Sequence, residues 1–501
     1  MKVLRLNSAD DVGIALVPLA TGDALGLSDI CAREPIAAGH KIALRSIQAG
    51  EAIVKYGAII GQALVQIEAG SHVHSHNLGF VASSQEAAIG RDVRPLPAIL
   101  HPRTFEGYHR ADGQVGTRNY VGVLTSVNCS ATVAKRIAAH FHDDRMAEFV
   151  HVNGVASFTH TTGCGTASTG DGVDNLQRTL AGYARHANFH SVVIIGLGCE
   201  VNQLDRLVQD MGLARSDRLQ TFTIQDVGGT ARAIEHGRGL VQELVQEANQ
   251  ARRKPAPISA LTLGLQCGGS DGWSGVTANP ALGAASDLVV AHGGTAILSE
   301  TPEIYGADYL LLQRAKNGEV AQALKDRLAW WEDYVGKHGA SLDNNPSPGN
   351  KAGGLTTILE KSLGAVAKSG STPLNAVYRY GQAITDKGFV FMDSPGYDPC
   401  SATGQIASGA NLIAFTTGRG SVFGSKPSPC LKLASNQALA RHMDEDMDID
   451  CSPILAGESI EAAGTRIFEA LIETASGKLT QSETLGLGDE EFVPWQIGAY
   501  L

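Results

Sequence analysis

Hydrophobic and polar positions change their spacing along the chain in a way that predicts a small β unit followed by α/β architecture. Up to about residue 80 a short unit recurs: Ile36-Ala-Ala-Gly39-His40-Lys-Ile42, Ile47-Gln-Ala-Gly50-Glu51-Ala-Ile53 and Ile67-Glu-Ala-Gly70-Ser71-His-Val73. Each has an apolar residue, a turn ending in Gly, then alternating residues, the pattern of short strands joined by tight turns. From Val81 to Arg103 the chain reads as an extended linker ending in Pro95, Pro97 and Pro102.

Beyond it the spacing switches between apolar runs and helical periodicity. Buried strands are predicted at Tyr120–Val127, Gly154–Phe158 and Ser191–Ile195, with helices at Ala131–Phe141, Leu176–Ala184 and Leu204–Met211. After Pro255 and Pro257 the alternation resumes. Strands are predicted at Ala260–Gly264, Thr295–Leu298, Phe389–Phe391 and Leu412–Phe415, and helices at Val320–Tyr334 and Ile460–Ala475. Such alternation predicts largely parallel sheets covered by helices. The expected division is 1–80, a linker at 81–103, and α/β domains at 104–254 and 255–501.

The 501 residues suit several domains, and the net charge of −11 without a basic run argues against nucleic acid as a partner. No apolar run is long enough to cross a membrane, and the N-terminal residues lack a signal-peptide pattern. A cytoplasmic protein is expected, with its eight cysteines as thiols or metal ligands rather than disulfides. A homo-oligomer is left open.

Four cysteines carry the most information. Cys129, Cys164, Cys199 and Cys267 each follow a predicted strand, mostly in Gly-flanked loops. Ligands of open α/β sheets bind beyond the carboxyl ends of the strands. Thiolates there suit iron, iron–sulfur clusters or zinc, although the spacing matches no CxxC motif. In His72-Val-His74-Ser-His76-Asn77 alternate side chains on a strand would share a face, offering three imidazoles to a metal or an anion. Polar Gly- and Pro-rich loops supply Arg118, Asn119, Lys351 and Arg419 for an anionic ligand, with Asp271, Glu300 and Glu303 beyond strand ends.

Taken in order, these motifs resemble the altronate/galactarate dehydratase family. Gly39-His-Lys-Ile-Ala43, Lys55-Tyr-Gly57 and the histidine run look like its N-terminal SAF (β-clip) domain. Asp112-Gly-Gln-Val-Gly-Thr-Arg-Asn119, Gly196-Leu-Gly-Cys-Glu200, Cys267-Gly-Gly-Ser-Asp-Gly272, Asn345-Pro-Ser-Pro-Gly-Asn-Lys351 and Thr416-Thr-Gly-Arg-Gly420 look like the rest. The resemblance implies dehydration of a sugar acid, D-altronate first, with galactarate dehydration and sulfolactate sulfo-lyase activity as alternatives. It also implies iron, as Fe2+ or an iron–sulfur cluster, with Mn2+ as the alternative. On this basis Cys129, Cys164, Cys199 and Cys267 are expected to hold the metal and His160 to act as general base. Asp271, Glu300 and Glu303 are expected as acid–base groups. Arg118, Asn119, Lys351, Arg419, His72, His74 and His76 are expected to meet substrate. A non-catalytic sugar-acid binding protein is the alternative of another class.

Overall fold

In a computed structural model, which describes residues 2–27, 29–81, 87–96, 99 and 101–498, the N-terminal repeat builds two small antiparallel sheets. One runs Val3–Leu4, Val12–Ala15, Lys41–Ala43, His72–Val73; the other runs Ala52–Lys55, Ala58–Ala63, Leu78–Gly79. Each repeated turn ends on a left-handed glycine, Gly39, Gly50 and Gly70, at φ of +83°, +82° and +87°. At Gly70 a Cβ would lie 2.1 Å from the Cys31 carbonyl oxygen, so the turn needs glycine twice over.

The middle sheet orders Gly154–Phe158, Tyr120–Thr125, Phe189–Gly196 and Leu219–Thr223, all parallel. The larger sheet orders Leu374–Tyr378, Gly388–Met392, Thr295–Leu298, Thr262–Cys267, Leu412–Thr417, Cys430–Ala434 and Ile449–Asp450, also all parallel. The α/β expectation is therefore met, with the SAF-type β unit in front. The two sheets do not stand apart. Phe158, Tyr183 and Phe189 share one core with Val390, Ile406 and Phe492. Helix Asp171–Ala184 meets helix Asp398–Ala407 so closely that a Cβ on Gly182 would fall 2.0 Å from the Ala407 carbonyl oxygen.

Two features depart from the expected layout. Strands Thr104–His109, Val115–Gly116 and Lys254–Pro257 form a small antiparallel sheet that ties the start of the middle unit to its end. The linker is not a free tether. Gly90 and Asp92 give their backbone N–H groups to the carbonyls of Leu312 and Gln313. Linker residues 82–86, 97, 98 and 100 lie outside the described residues.

Candidate active site at the domain junction

The larger sheet starts at its centre. The chain leaves Thr262–Cys267 for Thr295–Leu298 on one side and later returns to Leu412–Thr417 on the other. The crevice at such a switch point is the ordinary ligand site of an open α/β sheet, and five of the expected site residues gather around it. Cys267 ends the central strand, and Glu300 and Glu303 follow the next. Asp271 and Arg419 lie on loops beyond Cys267 and Thr417.

Deepest lies a sealed polar cluster. Lys368 Nζ donates to Cys267 Sγ at 2.8 Å and to Glu300 Oε2 at 3.2 Å, while Lys361 Nζ donates to Glu303 Oε1 at 2.7 Å. Burial and the neighbouring Glu303 push the Glu300 carboxyl up to about 8. Burial opposes ionisation of Glu303 as well, but Lys361 and Lys368 outweigh it and hold that carboxyl below its usual range. Two carboxyls pushed apart in this way suit an acid and a base. Glu300 also sits in the left-handed region at φ +72°, a strain that few non-glycine residues bear without a functional reason. A cavity of about 10 Å³ beside it is lined by Cys267, Asp271 and Lys361 among others, room for about one water. Glu300 and Glu303 are themselves buried.

Asp271 closes the cluster. Its Oδ1 accepts from Trp273 N, Ser274 N, Ser274 Oγ and Ser435 Oγ, and its Oδ2 accepts from Asn436 Nδ2. A Cβ on Gly418 would strike this carboxylate at about 2.1 Å, so glycine is what lets the Arg419 loop lie over it. Asp271 is thus an anchor. Above it the surface is cationic and imidazole-lined. Arg419 is exposed and Lys351 half-buried, and among the described residues neither side chain has a partner.

The imidazoles come from the N-terminal unit. Only His72 of the run lies in a strand; from His74 the chain turns back, with the N–H groups of Asn77 and Leu78 donating to His74 O. The rings still converge, His72 lying 5.3 Å from His74 and 5.6 Å from His76, but a turn rather than a strand face gathers them. His40 completes the group at 5.2 and 5.3 Å from His72 and His74. Burial and the neighbouring imidazoles push His72 down to about 3, and burial lowers His40 and His74 too, so these rings are neutral near pH 7. His40 Nε2 faces the Ala352 carbonyl at 3.3 Å and His74 Nε2 the Lys351 carbonyl at 2.8 Å. The cluster is therefore pinned to the Lys351 loop.

A buried ionic triad locks the same junction. Lys41 and Lys55 reach across to Glu360 at 2.8 and 2.7 Å, with all three side chains essentially inaccessible. Thr356 donates to the same carboxylate from its N–H and hydroxyl. Glu360, Lys361 and Lys368 do not stand out in the sequence, whereas the Gly39-His40-Lys41 and Lys55-Tyr-Gly57 motifs hinted at His40, Lys41 and Lys55.

The other expected residues lie elsewhere. Arg118 is fully buried, paired with Glu483 through Nε at 2.6 Å and Nη2 at 2.7 Å, and also donates to the Thr474 carbonyl. Asn119 donates to the carbonyls of His151 and Ala248. Both precede a strand and so sit at the sheet's amino edge, where they tie segments together and cannot meet substrate. His160 is buried, with Nε2 donating to the Thr125 carbonyl and Nδ1 accepting from Thr162 N–H. Neither nitrogen is left for a substrate proton. The four cysteines also split: Cys267 is buried in the larger sheet's cluster, while Cys129, Cys164 and Cys199 are exposed at the end of the middle sheet.

Burial pushes His160 down to about 4. An unfolded histidine titrates near 6.5, so between those values only the unfolded chain binds the proton and stability falls as pH falls. In His160→Gln, whose amide can keep both backbone bonds, the loss of stability between about pH 6.5 and 4 should shrink by up to about 1.4 kcal/mol per pH unit. Denaturant midpoints across that range check this; an unchanged slope would remove the assignment.

Family models for the altronate/galactarate dehydratase SAF domain, the D-galactarate dehydratase/altronate hydrolase second domain and the D-galactarate/altronate dehydratase C-terminal domain match residues 1–80, 107–249 and 258–500. Altronate dehydratase of Escherichia coli is 35% identical over 96% of this chain and 97% of its own length. The chain belongs to the altronate/galactarate dehydratase family. Altronate dehydratase of Bacillus subtilis is 36% identical over 96% of both chains, and galactarate dehydratase (L-threo-forming) of Escherichia coli is 37% identical over 91% and 89%. All three family segments contribute to the geometry described above: the first supplies the imidazoles, the third the cations and carboxylates, and the second the exposed thiols.

Proposed function

We propose that this chain removes water from D-altronate, giving 2-dehydro-3-deoxy-D-gluconate and water. One arrangement carries the reading: four clustered imidazoles overhang a sheet switch point beside two cations, Lys351 and Arg419, whose side chains have no partner among the described residues. Relatives named altronate dehydratase, aligned over nearly the whole chain, favour altronate within the family.

A sugar acid's carboxylate pairs with Arg419, and Lys351 takes neighbouring hydroxyls. His76, the most exposed ring of the cluster, takes the C2 proton as general base. That proton, passed from His76 to the C3 hydroxyl, lets it leave as water, and the enol left behind tautomerises to the keto acid. His40 and His74 each turn Nε2 to a backbone carbonyl, while His40 Nδ1 lies 3.0 Å from His72 Nε2 and His74 Nδ1 lies 3.0 Å from Ser75 Oγ. His40, His72 and His74 are the side chains that would hold Fe2+, which would supply Lewis-acid pull on the carboxylate and the departing hydroxyl. Cys267, Glu300 and Glu303 bring three ligand atoms within 4.8 Å, but the Lys368 ammonium already occupies the place of a cation there.

Incubation of iron-loaded protein with D-altronate, galactarate and sulfolactate, following keto acid and sulfite, tests the reading. Keto acid from altronate at the highest kcat/KM is expected. Sulfite from sulfolactate, or no keto acid from either sugar acid, would contradict it. Arg419→Ala should raise KM about tenfold or more, the loss of one charge-assisted contact; an unchanged KM would take Arg419 out of the site.

A further inference from the structure

We propose that the seam between the two α/β units binds a small monocarboxylate bearing hydroxyl groups, on Asn175, Arg178, Arg327 and Arg379. The site shares no residue with the imidazole cluster and is built from both units. Asn175 and Arg178 stand on helix Asp171–Ala184 of the middle unit. From the larger unit, Arg327 stands on helix Gly318–Lys337 and Arg379 follows strand Leu374–Tyr378. All four line one hollow of about 20 Å³. That is room for about one or two waters, and so for a carboxylate head rather than a whole ligand.

Asn175 is the residue that points to a ligand. It is only 3% exposed, and its Nδ2 has no hydrogen-bond partner. Arg178 Nη2 donates to its Oδ1 at 2.6 Å, which fixes which way round the amide lies. A buried donor without an acceptor is costly and uncommon. With its acceptor already taken, the amide has that free donor to offer an anion in the hollow.

The charges around the hollow select the ligand's head. Three guanidiniums face two carboxylates, Asp171 and Asp393. Asp393 is largely satisfied: its Oδ1 accepts from Thr301 Oγ1 at 2.6 Å and Trp331 Nε1 at 2.8 Å, and Arg327 stays 3.9 Å from its Oδ2. Asp171 sits exposed at the first turn of its helix. Burial lowers the Arg178 pKa, and that side chain bonds neutral groups, the Tyr380 carbonyl at 2.8 Å and Asn175. Arg379 gives its backbone N–H to Gln382 Oε1, while its side chain has no partner among the described residues. The balance of one positive charge suits a carboxylate better than a phosphate, which carries about two negative charges, and guanidinium forks match carboxylate geometry. A second cavity of about 730 Å³ shares Asp171, Trp495 and Ile497 with the hollow, so the rest of the molecule has room beside it. Its walls combine the rings of Trp495 and Tyr334 with the hydroxyls of Thr162, Thr166 and Thr169. Such rings take the C–H face of a polyol, and the hydroxyls take its oxygens.

Equilibrium dialysis of the full chain against D-gluconate, a hydroxylated monocarboxylate, tests the proposal. Arg419→Ala serves as the background, because it removes the carboxylate's partner at the imidazole junction and leaves the seam intact. Arg419→Ala should bind gluconate, and adding Arg379→Ala should weaken that binding about tenfold or more, the loss of one charge-assisted contact. Arg379 is exposed, so the second substitution leaves the core alone. Gluconate should also raise the thermal midpoint of Arg419→Ala, since a ligand of the folded state stabilises it by mass action, and barely move that of the double variant. No binding by Arg419→Ala, equal binding by the double variant, or displacement of gluconate by inorganic phosphate at the same concentration would each overturn the proposal.

Discussion

Replacing Glu360 with alanine should destabilise the protein by about 3–5 kcal/mol, because it strands two ammonium groups in a dry junction. Lys41 and Lys55 have no water to turn to; both are essentially inaccessible, and Glu360 is their shared counterion. Burial already pushes Lys41 down to about 8 with its partner present. Although burial disfavours its charge, the two lysines hold the Glu360 carboxyl far below its usual range. Its contribution is therefore fully present above the ordinary carboxylate range and is lost as pH falls through the depressed value. Chemical denaturation near neutral pH measures the loss. Glu360→Met combined with Lys41→Met and Lys55→Met should recover much of it, since an apolar replacement removes the unpaired charges. A single alanine variant within about 0.5 kcal/mol of the wild type would mean that the triad does not hold the N-terminal unit in place.

The second large effect is chemical. His72→Ala with His74→Ala should lower keto-acid formation by at least about a hundredfold, the scale of losing positioned proton-transfer or metal-polarising groups. Iron affinity should fall with it. Stability should change little at neutral pH, since both rings are half-buried and neutral and neither anchors a hydrophobic core. Metal analysis and initial rates on the same samples separate the outcomes. Full iron content with undiminished turnover would leave the imidazole cluster without a role.

Much of the fold was legible because its elements carry their own periodicity. Gly154–Phe158, Thr295–Leu298 and Ile460–Ala475 stand where apolar runs and helical spacing put them. Helix Ala278–Ala291 escaped notice for a physical reason. It is packed against helix Ile460–Ala475, with Ala, Gly and Val filling most of its length, so it has little polar face to set a period. The site was legible only in part. Cysteines beyond strand ends can be read from sequence, but not which sheet each strand joins, and that is what separates Cys267 from the other three. Gly116-Thr-Arg118-Asn119 looked like a ligand loop, yet its position before a strand places it at the sheet edge opposite the crevice. Glu360 and its lysines lie more than 300 residues apart, so no local pattern could join them. His40 could have been found: it occupies the turn of the first repeat, next to the strand whose Ile42 pairs with His72.

The most direct test compares His76→Ala with His160→Gln in initial rates of keto-acid release from D-altronate. His76 lies in the exposed imidazole cluster, whereas His160 has both nitrogens bound to backbone. The expected result is a loss of about a hundredfold or more in His76→Ala and near-normal turnover in folded His160→Gln. An inactive, folded His160→Gln beside an active His76→Ala would move the chemistry to the middle sheet and contradict the junction site.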